Sequence, residues 1–187
     1  MFVPIVIEPV RNPIRNNTLP NPNVKLPLKE MRPDEATDRP LKILIVEDEP
    51  LLAMDLEAQL LQMGHTVTGM ASDARSAFEL ADGTNLDLAL VDLNLRDGLT
   101  GPQIASELSR GKDTLVVFVT GSPDQIPPDY AGAVGAITKP WSPEALEQVV
   151  SLVRTYGRDN TTPSETDLTL VRMAPSFQGG KPRAKGK

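Results

Sequence analysis

The sequence predicts an α/β fold in which a parallel sheet of five strands is covered by helices on both faces. Apolar, β-rich runs alternate with amphipathic helical patterns along the chain, and four of those runs end abruptly at polar side chains. Uninterrupted apolar strands are typical of parallel sheets that are buried on both faces. Alternation of strand and helix is typical of doubly wound sheets. Five strands within residues 41–156 fit the flavodoxin-like strand order 2-1-3-4-5.

The first half of this region predicts two strands and two helices. Residues 42–46 form an unbroken apolar run, which is typical of a buried strand. Pro50 suits the first turn of a helix and Gly64 suits its end, so the first helix lies between them. A second strand over 65–70 and a second helix over 73–81 follow.

The second half predicts three strands and two helices, in the order 86–91 (strand), 102–108 (helix), 114–119 (strand), 133–138 (strand) and 143–156 (helix). The segment between the last two strands contains Pro123, Pro127 and Pro128. Proline removes a backbone donor and fixes φ, so we expect the fourth crossover helix to be shortened or missing.

Two flanking regions lie outside this pattern. Eight of the 18 prolines lie in residues 1–40, which we predict to be an extended, disordered arm. Residues 157–187 are polar, glycine-rich and basic, and we predict a disordered tail there. Residues 41–156 are then the one folded domain.

Composition excludes several classes of function. Residues 41–156 carry seven basic and seventeen acidic side chains, so direct DNA binding is not expected, because phosphate contacts need clustered Lys and Arg. The chain has no cysteine, which excludes a thiolate zinc site and a cysteine nucleophile and fits a cytoplasmic location. No apolar run approaches the roughly 18 residues that span a bilayer, so no membrane segment is expected. The only histidine, His65, follows a helix-stop glycine and is predicted to be structural.

Polar side chains follow four of the predicted strands at the point where each strand ends. They are Glu47, Asp48, Asp92, Thr120 and Lys139. Ligands of an open parallel sheet bind beyond the carboxyl ends of the strands, at the switch between strands one and three, so we expect these side chains to converge. Three carboxylates repel one another and need a cation, and oxygen ligands favour Mg²⁺. A lysine and a hydroxyl opposite a metal suit a transferring phosphoryl group.

These motifs together resemble the receiver domain of bacterial two-component response regulators. The resemblance extends over residues 41–156 and rests on four motifs at strand ends: Ile45-Val46-Glu47-Asp48-Glu49-Pro50, Val91-Asp92-Leu93-Asn94, Val119-Thr120-Gly121 and Thr138-Lys139-Pro140. It implies that Asp92 accepts a phosphoryl group from the phosphohistidine of a histidine kinase or phosphotransfer protein. It further implies phosphoryl contacts from Thr120 and Lys139, a cis Lys139–Pro140 bond, and Mg²⁺ bound by Glu47, Asp48, Asp92 and the backbone carbonyl of Asn94.

The run Phe118-Val119-Thr120-Gly121 also resembles stand-alone receivers of alphaproteobacteria, whose motif reads Phe-Ala-Thr-Gly-Tyr. The chain departs from that pattern, because Ser122 stands where the tyrosine belongs. The family's switch aromatic, three residues before the lysine, is replaced by Ala136. No ring can change rotamer there, so we predict that the switch works through an order–disorder change in the proline-rich residues 122–130.

Three functions are compatible with the sequence. The first is a stand-alone phosphoacceptor switch that signals to an unknown protein by contact or acts as a phosphate sink, without turnover beyond self-phosphotransfer and slow autodephosphorylation. The second is an aspartate-nucleophile phosphatase of the haloacid dehalogenase type, although Asn94 stands where that family has a second aspartate. The third is a phosphorylation-independent adaptor that has kept only the fold. The first accounts best for the acidic residues together with Thr120 and Lys139.

Overall fold

Six strands form one sheet in the computed structural model, which describes residues 39–110, 113–159 and 168–177. In chain order they are β1 (Lys42–Val46), β2 (Thr66–Ala71), β3 (Leu88–Val91), β4 (Leu115–Thr120), β5 (Gly135–Thr138) and β6 (Arg172–Met173). Their spatial order is β2-β1-β3-β4-β5-β6, and the first five are parallel. The predicted fold class and the order 2-1-3-4-5 are therefore confirmed, with one antiparallel strand added beside β5.

Four α-helices are present in the described part of the chain: α1 (Pro50–Gln62), α2 (Ala74–Ala81), α3 (Gly101–Ser109) and α4 (Pro143–Asp159). Asp73 caps α2 by accepting a hydrogen bond from the Ser76 amide at 2.8 Å, which satisfies a free N–H of the first turn. Between β4 and β5 the chain makes only two short 3₁₀ turns, Pro123–Gln125 and Tyr130–Gly132, as the prolines predict. Every helix in these ranges is too short or too polar to traverse a bilayer.

The central strands form the core of the sheet. All residues of β3 and β4 are buried, and Phe118 of β4 is among the largest side chains that are fully enclosed. Helices pack over this layer through buried leucine and isoleucine side chains such as Leu56 and Ile104. Because these strands have no solvated face, polar side chains are confined to their ends, where a rigid backbone holds them.

Residues 168–177 correct the prediction of a disordered tail over 157–187. Helix α4 extends to Asp159, and residues 172–173 form β6 against β5. The segment carries five apolar side chains that are buried: Leu168, Val171, Met173, Ala174 and Phe177. Burial of these side chains stabilises the segment. The average composition of the tail, which is polar and basic, did not indicate it. The remaining tail residues, 160–167 and 178–187, lie outside the described residues, as does the predicted arm up to residue 38.

His65 lies at the start of β2 and is buried. Its Nδ1 accepts a hydrogen bond from the Leu41 amide at 3.4 Å, which requires that this nitrogen carry no proton. Burial, with the nearby charge of Arg154, lowers the pKa of His65, so the neutral ring is favoured. The environment of His65 is that of a structural side chain.

Asp87, directly before β3, holds the beginning of β1 in place. Its Oδ2 accepts a hydrogen bond from the Lys42 amide at 2.8 Å, and the Arg39 guanidinium donates to both carboxylate oxygens at 2.8 and 2.6 Å. Burial raises the pKa of Asp87, but the hydrogen bonds from Arg39 and Lys42 outweigh it and leave the pKa below its usual value. The charged carboxylate is therefore the form that stabilises the fold.

We predict that Asp87→Ala lowers the free energy of unfolding by about 1–3 kcal/mol at neutral pH, because the Lys42 amide loses its acceptor. Urea denaturation measures the change. The exposed Asp113, in the loop before β4, provides the control Asp113→Ala, which should change stability little.

The same contact sets a pH dependence. The stabilisation by Asp87 is present above the pKa of the unfolded state, about 3.9, and is lost as the pH falls through the lower pKa of the folded state. The difference between wild type and Asp87→Ala should therefore shrink in acid. Equal stabilities of the two proteins at pH 7 would contradict this role.

Candidate functional site

Three acidic side chains meet at the carboxyl ends of β1 and β3, which are neighbours in the sheet. Glu47 and Asp48 follow β1, and Asp92 follows β3. One carboxylate oxygen from each residue lies within 4.8 Å of the other two. Glu47 and Asp92 are buried and Asp48 is half-buried. Carboxylates held this closely repel one another unless a positive charge shares the site.

Lys139, which follows β5, brings a positive charge to this cluster. Its Nζ lies 2.7 Å from Oε2 of Glu47 and 2.7 Å from Oδ2 of Asp92. Burial lowers the pKa of Lys139, but hydrogen bonds to Asp92 and Glu47 outweigh it and raise the pKa above its usual value. The ammonium group therefore stays charged. The Lys139–Pro140 bond is cis, as the resemblance implies.

Glu47 is the most enclosed of the three carboxylates. Its Oε1 accepts a hydrogen bond from the Glu49 amide at 3.3 Å. Its Oε2 is buried, and its one close polar contact among the described residues is the Lys139 ammonium. Burial raises the pKa of Glu47, and Lys139 opposes that rise. A buried carboxylate oxygen with lone pairs to spare, beside two other carboxylates, fits a site for a hard divalent cation.

Asp92 is held by backbone contacts on both sides of the loop that carries it. Its amide donates to the carbonyl of Val46 at 2.9 Å, which ties the loop to the end of β1. Helix α3 begins directly against this loop at Gly101, whose amide donates to the Leu93 carbonyl at 3.1 Å. A Cβ added at Gly101 would collide with the Asp92 carbonyl and come within 2.6 Å of the Leu93 Cα. Gly101 was not among the predicted site residues, and its only signal in the sequence is a glycine directly before a proline in the first turn of α3.

Asn94 connects the loop after β3 to the turn after β4. Its amide Nδ2 donates to Oε1 of Gln125 at 3.0 Å, and its backbone amide lies 3.5 Å from Oδ1 of Asp92. Gln125 was not among the predicted site residues, because no motif marks it. The proposed role of the Asn94 carbonyl as a metal ligand stays a prediction.

Thr120 is fully buried at the end of β4. Its carbonyl accepts a hydrogen bond from the Lys139 amide at 2.9 Å, and its hydroxyl accepts one from the Ser122 amide at 3.0 Å. The structure therefore brings together the charged groups of Glu47, Asp48, Asp92 and Lys139. It directs the Thr120 hydroxyl and the Asn94 amide toward the loop over residues 122–130.

Comparison with known proteins identifies the family to which this fold belongs. Residues 43–151 match the response regulator receiver domain family. The chain belongs to that family. The match covers β1 to most of α4, so it includes every residue of the acidic cluster and Lys139. Membership supports a phosphoacceptor role for this receiver domain.

The most similar proteins include regulators named PhyR. The receiver is 35% identical over 118 residues to the phyllosphere-induced regulator PhyR of Methylorubrum extorquens, a match that covers 62% of this chain and 44% of PhyR. The chain therefore spans less than half the length of that curated relative.

Two solved structures show the same fold. The solution structure of the PhyR receiver domain of Erythrobacter litoralis superposes with a TM-score of 0.57 at 26% identity, covering 67% of this chain and 98% of that domain. A crystal structure of the anti-anti-sigma factor PhyR of Bartonella quintana superposes with a TM-score of 0.57 at 25% identity, covering 65% of this chain and 52% of that protein.

We predict that Gly101→Ala destabilises the receiver by about 1–3 kcal/mol, because the new Cβ must displace the loop that carries Asp92. Thermal denaturation measures the loss. Gly121→Ala is the matched control: a Cβ at Gly121 meets nothing within 4 Å. A Gly101→Ala protein as stable as Gly121→Ala would show that the close approach between α3 and the loop is not required.

Proposed function

We propose that this chain is a phosphoacceptor switch of a two-component phosphorelay, with Asp92 as the residue that receives the phosphoryl group. Receiver domains interact with histidine kinases and phosphotransfer proteins, and the proposed donor is a phosphohistidine of such a protein. The observation that carries the proposal is the contact of Asp92 Oδ2 with the Lys139 ammonium at 2.7 Å, within a cluster of three carboxylates.

The proposed step is a transfer between two protein side chains. An oxygen of the Asp92 carboxylate attacks phosphorus, and the new O–P bond forms as the P–N bond to the donor imidazole breaks and the imidazole leaves with the electron pair. Lys139 is placed to neutralise charge on the phosphoryl oxygens, as phosphoryl transfer requires. Thr120 supplies a second hydrogen bond once its hydroxyl donates to a phosphoryl oxygen.

Mg²⁺ is the proposed cofactor, and Glu47, Asp48, Asp92 and the backbone carbonyl of Asn94 are its proposed ligands. All of these donors are oxygen atoms, the ligand type that Mg²⁺ prefers. When bound, the ion stabilises the negative charge that the incoming phosphoryl group brings to the carboxylates. The enclosed Oε2 of Glu47, whose one close polar contact among the described residues is the Lys139 ammonium, supports this ligand set.

The proposed output is a protein contact or service as a phosphate sink. One similar protein is described as an anti-anti-sigma factor, a name that supports a protein as the partner. The acidic balance of residues 41–156, with seventeen acidic and seven basic side chains, also disfavours DNA as the partner. We place the chain in the cytoplasm, because it lacks cysteine and its proposed phosphoryl donors work there.

We propose no turnover of a small phosphoester. A phosphatase of the aspartate-nucleophile type needs an acid two residues after the nucleophile, and here Asn94 stands there. Its amide is bonded to Gln125 and has no carboxyl proton to transfer. This contact favours a positioning role for Asn94 over acid catalysis.

Phosphorylation should occur at Asp92 and should require Mg²⁺. We expect wild-type protein incubated with acetyl phosphate and Mg²⁺ to gain one phosphoryl group, and Asp92→Asn to gain none, because its amide is not nucleophilic. Intact-protein mass spectrometry measures the gain. Glu49→Gln, which changes an exposed acid beside the cluster, should be labelled like wild type.

Two outcomes of that experiment would contradict the proposal. Label that persists in Asp92→Asn would move the phosphoacceptor elsewhere, and label that persists in excess chelator would remove the role of Mg²⁺. A wild-type chain that accepts phosphate neither from acetyl phosphate nor from a phosphorylated kinase would instead be a phosphorylation-independent adaptor.

Signal transmission is proposed to pass through residues 122–130. Two hydrogen bonds connect this loop to the site, from Ser122 to the Thr120 hydroxyl and between Gln125 and Asn94. A phosphoryl group that draws the Thr120 hydroxyl toward itself would lengthen the first of them, because the acceptor oxygen moves away from the Ser122 amide. We therefore expect beryllofluoride, a phosphoryl mimic, to change hydrogen exchange over residues 121–131 while α2 serves as the internal reference. Unchanged exchange in that loop, with changes elsewhere, would refute this route.

A further inference from the structure

A segment with one two-residue strand between turns lies along the outer edge of β5. We call residues 168–177 the β5 strap. Its strand β6 pairs antiparallel with β5, with Met173 opposite Gly135 and Arg172 opposite Ala136. The Ala174 amide adds a hydrogen bond to the carbonyl of Val134 at 2.9 Å. The strap therefore satisfies backbone groups that would otherwise be exposed at a sheet edge.

Side chains of the strap also fill a groove between β5 and α4. Five of its apolar side chains are buried, and the Phe177 ring lies 5.6 Å from the ring of Tyr156 on α4. Gln148 of α4 accepts a hydrogen bond from the Leu170 amide at 2.8 Å. The groove thus holds this segment of the chain by main-chain bonds on one side and by apolar packing on the other, an arrangement that resembles strand addition.

Gly135 allows the backbone of the strap to approach β5 closely. A Cβ built at Gly135 would lie 2.9 Å from the carbonyl oxygen of Arg172 and 3.1 Å from Cγ1 of Val171. The three nearest atoms all belong to the strap and none to the receiver core. A glycine at this position is therefore needed for a peptide on the edge rather than for packing within the sheet.

The strap fills its groove incompletely. A cavity of about 190 Å³ lies between it and the loop after β4, lined by residues that include Ile126, Pro127, Tyr130 and Met173. A peptide with a larger side chain at that point would enter this pocket and gain contacts that the strap lacks. Strand β6 is also only two residues long, and such a short pairing is readily opened.

We propose that the β5 edge is a strand-addition site for an extended segment of a partner protein, and that the strap is its resident occupant, which the partner displaces. The partner segment would have apolar side chains in the positions of Val171, Ala174 and Phe177. It would carry basic flanks, because the folded region that it approaches has an excess of acidic side chains. This site is separate from the Asp92 cluster, and the proposal does not rest on phosphorylation.

A labelled synthetic peptide with the sequence of residues 168–177 tests the site in the full chain. The double variant Val171→Asp with Ala174→Asp should release the strap, because both side chains are buried. We expect the peptide to bind this variant at least about tenfold more tightly than wild type, where the tethered strap competes at a high effective concentration. Fluorescence anisotropy measures the affinities.

Glycine substitutions locate the binding. Adding Gly135→Ala to the double variant should abolish peptide binding, whereas adding Gly157→Ala should not, because a Cβ at Gly157 meets nothing within 4 Å. Equal affinity of the peptide for wild type and the double variant, or binding that survives Gly135→Ala, would overturn the proposal. Dimers of the wild-type chain that exchange their straps would overturn it as well, by assigning the edge to a second copy.

Hydrogen exchange of the wild-type chain keeps the proposal testable if the double variant does not fold. The Ala174 amide should exchange far faster than the amides of β4, because the strap opens without global unfolding. Gly135→Ala should accelerate the exchange of Ala174 further while leaving β3 unchanged. Exchange of Ala174 as slow as that of β4 would show that the strap is an integral part of the core and would overturn displacement by a partner.

Discussion

The ion pairs of Lys139 are the interaction on which the site depends. Its ammonium contacts Glu47 and Asp92 at 2.7 Å each, at the end of a sheet whose central strand β3 contains only apolar side chains. Three carboxylates and one ammonium leave a formal charge of −2 in a partly buried cluster. Buried charge of one sign is costly unless it is compensated. A divalent cation would neutralise what Lys139 leaves, so electrostatics and proposed chemistry require the same ligand.

The geometry of that cluster is set by the backbone of the sheet rather than by long side chains. Asp92 follows β3 by one residue and is fixed to the end of β1, and the Lys139 amide is bonded to Thr120 at the end of β4. Gly101 then allows α3 to start against the same loop. Because each group lies within one or two residues of a buried strand, the site inherits the rigidity of the core.

The sequence was sufficient for the order of the five parallel strands and for the meeting of the charged groups of Glu47, Asp48, Asp92 and Lys139, which follow apolar runs. It did not show that the Thr120 hydroxyl is bonded to Ser122 in the next loop. It was not sufficient where a contact depends on distant backbone. Gln125 meets Asn94 across 31 residues, and Gly101 is required by a carbonyl that no local pattern shows. The tail prediction was wrong for 168–177, because its apolar residues are stabilised by contacts with β5 and α4, which are distant in the sequence. Most predicted element boundaries differ from the observed ones by one or two residues, because the ends of helices and strands are the least sharply defined parts of an element.

Strand β5 connects the Asp92 cluster, through Lys139, with the strap at the sheet edge. Its last residue, Thr138, directly precedes Lys139, and its first two residues pair with the strap. The side chains at those two positions are only a glycine and an alanine, where the family's switch aromatic is replaced by Ala136. Only Ile137 and Thr138 separate the residues paired with the strap from Lys139. A displacement of Lys139 and a change of occupant at the β5 edge would therefore act on the same short element, and no rotating ring is needed to join them.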